Sequence, residues 1–399
     1  MGREDPFSGV RCLFLENFTL STLLVPVPEE EFRANHWEQK PLLVQRGDPD
    51  FYSDLFSLQD FDRVVASSPS YVKTADAKNK KLGMHAGETA SGLERSFTEM
   101  RGGATLVLDS LHQHDAKLGL LCRLLDQQLG HRHQTNLYLT PPNGQGFTPH
   151  WDNHDVFILQ VMGSKHWRME KQPRRKLPFH DEKILDEARE LIGEPDAFTL
   201  NQGDMVYIPR GYVHAAECGP EPSLHITLGM VPFTWAELLQ AMTKAAIQKD
   251  DRLRAALPLG FISADSTILM NGALAALREM ADKAFLASVV DQYVDEVVSK
   301  FPLDVSGQIS DFFRSQQLKL EDVVGPRRGV VYKVHDEGET VRINVGARSI
   351  TFPEFFKEPL EFALATSAYA IRDIAGDLED EEKIVFIERL LQEGLVVRK

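Results

Sequence analysis

Cysteine is scarce in this chain: Cys12, Cys122 and Cys218 are widely separated, odd in number and free of CxxC spacing. That excludes a disulfide-stapled secreted scaffold and a cysteine-rich zinc module, and it favours buried thiols in a reducing compartment. Long apolar runs are missing too, since none approaches the roughly 20 residues needed to span a bilayer. The opening Met1-Gly2-Arg3-Glu4-Asp5-Pro6 has no signal-peptide core. A soluble intracellular protein with no membrane partner is therefore expected. Positive charge is in deficit as well: 44 Lys and Arg face 59 Asp and Glu, for a net charge of -15. Affinity for bare nucleic acid comes mainly from cations neutralising phosphates, so direct nucleic-acid binding is disfavoured and a basic partner is favoured. Solubility alone is the competing explanation of the acidity. No internal repeat or low-complexity segment is evident.

What is present is length and apolar content, 399 residues at 43% hydrophobic, enough for two or three domains with a sizeable core. Before residue 100 the pattern is mixed, with an amphipathic helix over Phe32 to Glu38 and a proline-led strand over Lys40 to Arg46. From Thr135 to Pro232 short strands dominate: Thr135 to Thr140, Val156 to Val161, Lys165 to Met169, Ala197 to Leu200, Met205 to Pro209 and Leu224 to Val231. Their spacing predicts a β-barrel or sandwich, interrupted by an insertion whose Asp181 to Leu191 stretch reads as helix. After Phe233 helical periodicity takes over, at Trp235 to Asp250, Ser266 to Phe285 and Ser288 to Phe301. The apolar stripes Ala273 to Leu277 and Leu286 to Val290 suit either an internal core or a subunit interface. The last hundred residues read as a small α/β unit: helix at Gln308 to Leu318, a two-stranded ribbon at Gly329 to His335 and Thr340 to Val345, and helices at Pro353 to Thr366 and Glu379 to Glu393. That order suggests a winged helix, and its acidic run Asp377 to Glu382 favours protein over phosphate as its partner. The expected division is 1–232, 233–302 and 303–399.

Chemistry concentrates in His150-Trp151-Asp152 and in Gly203-Asp204-Met205-Val206-Tyr207-Ile208-Pro209-Arg210-Gly211-Tyr212-Val213-His214. In an extended strand His150 and Asp152 share a face, while Trp151 points into packing. The second segment reads as turn, strand and turn, delivering His214 to the barrel interior. Two imidazoles and a carboxylate on one face of a metal leave the opposite face open, which suits Fe(II) and oxygen. The same alternation puts Lys165, Trp167 and Met169 on one face, so Lys165 turns inward if the other two do. A buried ammonium needs a carboxylate, and the free end of a dicarboxylic acid would serve; a solvated hairpin lysine is the alternative. Asn136 and Tyr138 share a strand face, and so do His225 and Thr227; both pairs are candidates to line the same cavity. His154 falls at the mouth, whereas His131, His133, His112 and His114 read as surface-loop residues.

Together these residues resemble the JmjC-type ribosomal oxygenases, Fe(II)- and 2-oxoglutarate-dependent hydroxylases of ribosomal proteins. The likeness rests on Asn136-Leu137-Tyr138-Leu139-Thr140-Pro141, Gly146-Phe147-Thr148-Pro149-His150-Trp151-Asp152, Asp155-Val156-Phe157-Ile158-Leu159-Gln160, Lys165-His166-Trp167-Arg168 and the Gly203 to His214 segment. His36-Trp37-Glu38-Gln39-Lys40-Pro41-Leu42-Leu43 is similar to the family's approach to its barrel. The resemblance implies a double-stranded β-helix, a helical dimerisation region and a C-terminal winged helix. It implies that His150, Asp152 and His214 bind iron, that Lys165 pairs with the distal carboxylate of 2-oxoglutarate, and that Asn136, Tyr138 and Thr227 line its pocket. Oxygen and 2-oxoglutarate would be the co-substrates, and a basic ribosomal protein the substrate, hydroxylated on the β-carbon of a histidine or an arginine. Histidine-modifying relatives are similar in carrying lysine at the position of Lys165, but this chain has Gly229 where they carry serine. The alternatives are a JmjC oxygenase or lysyl demethylase acting on another protein, and a catalytically silent dimeric scaffold.

Overall fold

The computed structural model describes residues 12–67, 72–77, 81–83, 90–182, 190–263, 265–309 and 318–399. The chain divides into two compact units, residues 1–232 and 233–399. The first carries strands β1 (Leu42–Val44), β2 (Val72–Asp76), β3 (Lys81–Gly83), β4 (Thr105–Leu108), β5 (Arg132–Thr140), β6 (Asp155–Met162), β7 (Lys165–Met169), β8 (Asp196–Leu200), β9 (Met205–Ile208), β10 (His214–Glu217) and β11 (Ser223–Val231). They form an eight-stranded sheet ordered β1-β9-β6-β11-β5-β4-β2-β3 and a three-stranded sheet ordered β10-β7-β8, with every pairing antiparallel.

Alternation along β6 divides its side chains between two cores. Phe157, Leu159 and Val161 join Phe32, Tyr207, Leu137, Ile226 and Leu228 in the larger one. Val156 and Ile158 turn to the other face, where they meet Trp167, Met169, Leu200, Val206, Ile208 and Tyr212. Strands buried on both faces read as near-continuous apolar runs, which is why β6 is buried almost throughout. The helix Ala116–Leu129 begins where Asp115 accepts hydrogen bonds from the Lys117 and Leu118 amides, and Gly130 ends it in the left-handed conformation. Leu118, Leu121, Cys122 and Leu125 recur at helical spacing and are buried in the larger core.

In the second unit the helices Trp235–Lys249, Ser266–Met280 and Lys283–Ser299 are followed by β12 (Val323–Pro326), β13 (Tyr332–Asp336), β14 (Thr340–Val345), β15 (Arg348–Pro353), β16 (Tyr369–Ala370) and β17 (Val396–Arg398). Two three-stranded sheets, β13-β14-β15 and β16-β12-β17, pack with the helices Lys357–Ala365 and Asp380–Gln392 around Val324, Ile343, Leu360, Phe386 and Leu390. Polar contacts tie helix Lys283–Ser299 to this core. His335 Nε2 lies 2.7 Å from Asp295 Oδ1, and Lys333 Nζ lies 2.9 Å from Asp291 Oδ1.

Several sequence expectations need correction. The ribbon has a third strand, β15, because Gly346 turns the chain back with φ 53° and Ile350 and Phe352 bury on alternate positions. The strand β10 was not anticipated, and the early helix spans Glu29–Asn35, ending sooner than its apolar pattern suggested. His133 is no loop residue: it is buried in β5, its backbone amide and Nδ1 both on Asp126 Oδ1 at 2.7 and 2.9 Å. His112 is also only part-exposed, accepting the Thr135 amide at 3.2 Å. Most of the helix expected over Asp181 to Leu191 and most of that over Gln308 to Leu318 lie outside the described residues.

One tight approach fixes the turn that leads into β9. Gly203 has φ +91°, and a Cβ there would lie 1.9 Å from the Asp48 carbonyl oxygen. Gly203→Ala is expected to lower unfolding stability by roughly 2 kcal/mol or more, combining backbone strain with a backbone clash. Urea denaturation checks this, and an unchanged midpoint would refute it.

Candidate metal centre

His150 and His214 are brought together by backbone pairing. Each donates its amide to the other's carbonyl, His150 N to His214 O at 3.1 Å and His214 N to His150 O at 2.8 Å, in an isolated antiparallel bridge at the first residue of β10. Residues directly opposite in such a pair project to the same side, and the imidazole centroids are 4.7 Å apart. Asp152 lies past the bridge, outside any strand, so the uniform extended strand expected over His150 to Asp152 is not what aligns the pair. Asp152 is held instead by the Gly211 amide, which donates to its carbonyl at 3.0 Å.

The ligand atoms converge. Asp152 Oδ1 is 4.0 Å from His150 Nε2, and Asp152 Oδ2 is 3.7 Å from His214 Nε2. One atom from each of the three residues lies within 4.8 Å of the others, as a shared cation requires. The tautomers are set as well. His150 Nδ1 meets the Thr148 carbonyl at 2.9 Å and His214 Nδ1 meets that of Tyr212 at 3.0 Å. A carbonyl only accepts, so each Nδ1 carries the proton and each Nε2 keeps its lone pair for a metal. Burial pulls His214 down to about 4, aided by His150, so it stays neutral at physiological pH. Burial opposes ionisation of Asp152, but His150, His154 and His214 outweigh it and hold the carboxyl below its ordinary range. A cation would find two imidazole Nε2 atoms and a carboxylate, with His150 and Asp152 still open to solvent on one side.

A buried ion-pair network clamps the two ligand-bearing segments. Arg210 Nη1 lies 2.7 Å from Asp155 Oδ2 and 2.6 Å from Glu38 Oε1, while the Tyr207 hydroxyl donates to Asp155 Oδ1 at 2.9 Å. Burial disfavours the guanidinium, but Asp155 and Glu38 raise it and keep it charged. Asp155 follows the HxD and Arg210 precedes His214, so the pair fixes both approaches at once. Sequence reasoning missed this network. Its one signal in the sequence was an aspartate opening the largely apolar run Val156 to Val161; the left-handed backbone of Glu38, φ 54°, shows only in the structure.

The interior beyond the histidines is lined from β5, β7 and β11. Lys165, Trp167 and Met169 are buried while His166 and Arg168 are exposed, as alternation requires. Lys165 Nζ donates to Thr140 Oγ1 at 3.0 Å, and among the described residues no carboxylate pairs with it. Burial lowers this lysine to about 8. Thr140 was not singled out in the sequence. Tyr138 stacks on His225 at 4.9 Å between centroids, and Trp167 meets the edge of His225 at 5.8 Å. In register Thr227 faces Asn136 and His225 faces Tyr138, so all four share one side of the sheet. Asn136 Oδ1 is already engaged by the Ser110 amide at 2.9 Å. Trp151 packs against Val213, while His154 is half-buried near the ligands.

Residues 111–238 match the family model described as JmjC domain. Those residues form a JmjC domain. Ribosomal oxygenase 1 of Gallus gallus is 33% identical over 296 residues, covering 68% of this chain and 49% of that protein. The bifunctional lysine-specific demethylase and histidyl-hydroxylase NO66 of Aedes aegypti is 31% identical over 313 residues, covering 70% of this chain and 47% of its own length. The chain thus spans about half the length of these curated relatives and is a homologue of the ribosomal oxygenases. The crystal structure of E. coli ycfD superposes with a TM-score of 0.57 at 17% identity, covering 94% of this chain and 99% of that one. A ycfD structure in complex with cobalt and 2-oxoglutarate gives a TM-score of 0.55 at 16% identity, with the same coverage. These likenesses establish the JmjC fold. No described helix is long and apolar enough to cross a membrane.

The depressed His214 makes the metal-free protein acid-sensitive. An unfolded histidine takes its proton near 6.5, whereas folded His214 resists until about 4. Between those values the unfolded chain holds more protons, so stability present above about pH 6.5 declines as pH falls toward 4. His112, lowered to about 4 mainly by burial, adds in the same direction. His214→Leu should remove a share on the order of 3 kcal/mol from the loss across that window. Urea denaturation of metal-free protein at stepped pH measures it, and a variant retaining the parent's slope would contradict the assignment.

Proposed function

We propose that this protein is an Fe(II)- and 2-oxoglutarate-dependent oxygenase that hydroxylates a side chain of a ribosomal protein. The observation that carries this is the neighbourhood of two features: three convergent ligands open on one side, and a buried ammonium with no carboxylate partner among the described residues. His150, Asp152 and His214 would hold the metal. Lys165 would take the distal carboxylate of 2-oxoglutarate, with the Thr140 hydroxyl orienting Nζ and with Asn136, Tyr138 and Thr227 walling the pocket. A charge-assisted bond in a desolvated barrel selects a dicarboxylate over a simple 2-oxo acid. The bound metal would supply oxygen activation coupled to decarboxylation of the co-substrate. The protein's own part is to fix the ligands, keep His214 neutral and hold the target carbon close while excluding water.

The homologues' name supports a ribosomal protein as substrate. A basic polypeptide also suits a chain of net charge -15, although charge complementarity raises encounter rates and does not choose the residue. A second reading, lysyl demethylation, is favoured by the bifunctional name of the NO66 relative alone.

For the second unit we propose a dimerisation region over residues 233–302 and a winged-helix-like domain over 303–399. No described residue of helix Ser266–Met280 is fully buried: Met270, Leu274 and Leu277 are exposed at helical spacing, and Trp235 and Leu239 are exposed on the preceding helix. Contiguous apolar surface of this kind marks an interface. Sedimentation should give a dimer that Leu274→Glu weakens; a monomer at all concentrations would reject the region's role.

Purified protein with Fe(II), oxygen and 2-oxoglutarate should form succinate, and Asp152→Ala should abolish it. Lys165→Ala should weaken 2-oxoglutarate binding on the order of a hundredfold while metal content is retained. Because free Lys165 loses its proton near 8, that affinity should also fall about tenfold per pH unit above this value. Succinate formation undiminished in Asp152→Ala would overturn the metal assignment. Equal loss of metal and co-substrate in Lys165→Ala would overturn the role of the lysine.

A further inference from the structure

One row of side chains on the eight-stranded sheet carries a charge at each end. On β5 the row is Thr140, Tyr138 and Asn136, and pairing extends it onto β4, where Thr105 Oγ1 meets Thr140 Oγ1 at 2.9 Å and Val107 stands opposite Tyr138. Continuing the alternation sets Asp109 next, one residue past the end of β4 and beside Asn136, whose Oδ1 accepts the Ser110 amide at 2.9 Å. Lys165 holds the Thr140 end and is buried. Asp109 holds the Asn136 end, where its side chain is 35% exposed.

The partner of this carboxylate is displaceable. Lys73 of β2 stands opposite Val107, and so on the same face, and its Nζ donates to Asp109 Oδ2. The Lys73 side chain is 37% exposed, and an ion pair so open to solvent contributes little to stability. Tyr138 relates the pair to the metal ligands: burial opposes loss of its phenolic proton, and the charges of Asp152 and Asp109 add to that in turn. One phenol thus lies within electrostatic reach of a metal ligand and of Asp109. A solvent-open carboxylate therefore stands on the ligands' side of the sheet.

Resting on the hydroxylase reading above, we propose that Asp109 is a specificity-determining residue that touches the substrate, taking a cationic side chain of the incoming basic polypeptide in exchange for Lys73. The two ends of the row then divide the work. Lys165 at the buried end meets the anion of the co-substrate, and Asp109 at the open end meets the cation of the protein. Lys73 holds the carboxylate in place beforehand and competes with the substrate for it. No bond is made or broken at Asp109. Its contribution is a charge-assisted hydrogen bond that fixes how the polypeptide lies beside the metal.

The test uses the full chain and an acid-extracted mixture of ribosomal proteins, read by intact mass for the gain of one oxygen atom. Asp109→Asn should raise the half-saturating concentration of that mixture about ten- to hundredfold, what one charge-assisted contact is worth, and lower the ratio of hydroxylated protein to succinate. Asp109→Glu, which keeps the carboxylate, should recover most of the loss. Lys73→Met should move half-saturation the other way, down by about two- to fivefold, because the competitor is gone. A merely structural ion pair would make both partners' variants move together. Repeating the comparison on ribosomal proteins whose arginines are blocked with phenylglyoxal, lysines with acetic anhydride or histidines with diethylpyrocarbonate identifies the cation. The treatment that erases the difference between parent and Asp109→Asn names it, and a difference that survives all three would overturn the inference. So would unchanged half-saturation in Asp109→Asn, a shift of Lys73→Met in the same direction as Asp109→Asn, or parallel loss of metal and 2-oxoglutarate binding. Wild-type protein that makes no succinate would instead overturn the hydroxylase reading, and this inference with it.

Discussion

The reciprocal backbone hydrogen bonds between His150 and His214 are the constraint on which the site depends. They convert two residues from distant parts of the chain into directly opposed neighbours, and opposed residues on an antiparallel pair must share a face. The ring approach, the convergence on Asp152 and the setting of both tautomers by backbone carbonyls follow from that register. A slip of one residue would turn one imidazole to the opposite side.

Two further devices protect this register. The Arg210 guanidinium bridges Asp155 and Glu38 inside the barrel wall, so the strand leaving the HxD and the turn approaching His214 cannot drift apart without exposing an unpaired buried charge. The Gly211 amide holds the Asp152 carbonyl from the same turn, and a Cβ at Gly211 would collide with the Arg175 carbonyl oxygen. Rigidity is thus concentrated around the ligands. The interior behind them is left electrostatically incomplete, since Lys165 is buried with no carboxylate paired to it among the described residues. Burying an ammonium this way costs stability, which is consistent with a carboxylate being supplied by a ligand.

Much of this could be read from the residues. The strand-like runs after Thr135, the inward alternation of Lys165, Trp167 and Met169 and the turn-strand-turn before His214 are local patterns, and local patterns follow from side-chain period and turn chemistry. What escaped were features made by partners far apart in sequence. His133 looked like a loop residue because nothing nearby in sequence announces that Asp126 will meet it at the end of a helix. β10 is short, and it becomes a strand only because Met169 to His166 pair with it. β15 was hidden because the turn at Gly346 follows immediately on β14.

By itself, then, the sequence determined the identity of the chemical groups: two histidines, an aspartate and a lysine within a β-rich segment. It also determined which strand positions face inward, since a period of two needs no tertiary information. Only the tertiary structure decided that His150 pairs with His214, that Arg210 spans Asp155 and Glu38, and that the His154 ring fills the space at Gly229. Those are statements of register and distance across strands. They are fixed by burial and backbone hydrogen bonding over the whole barrel, and no stretch of chain carries them locally.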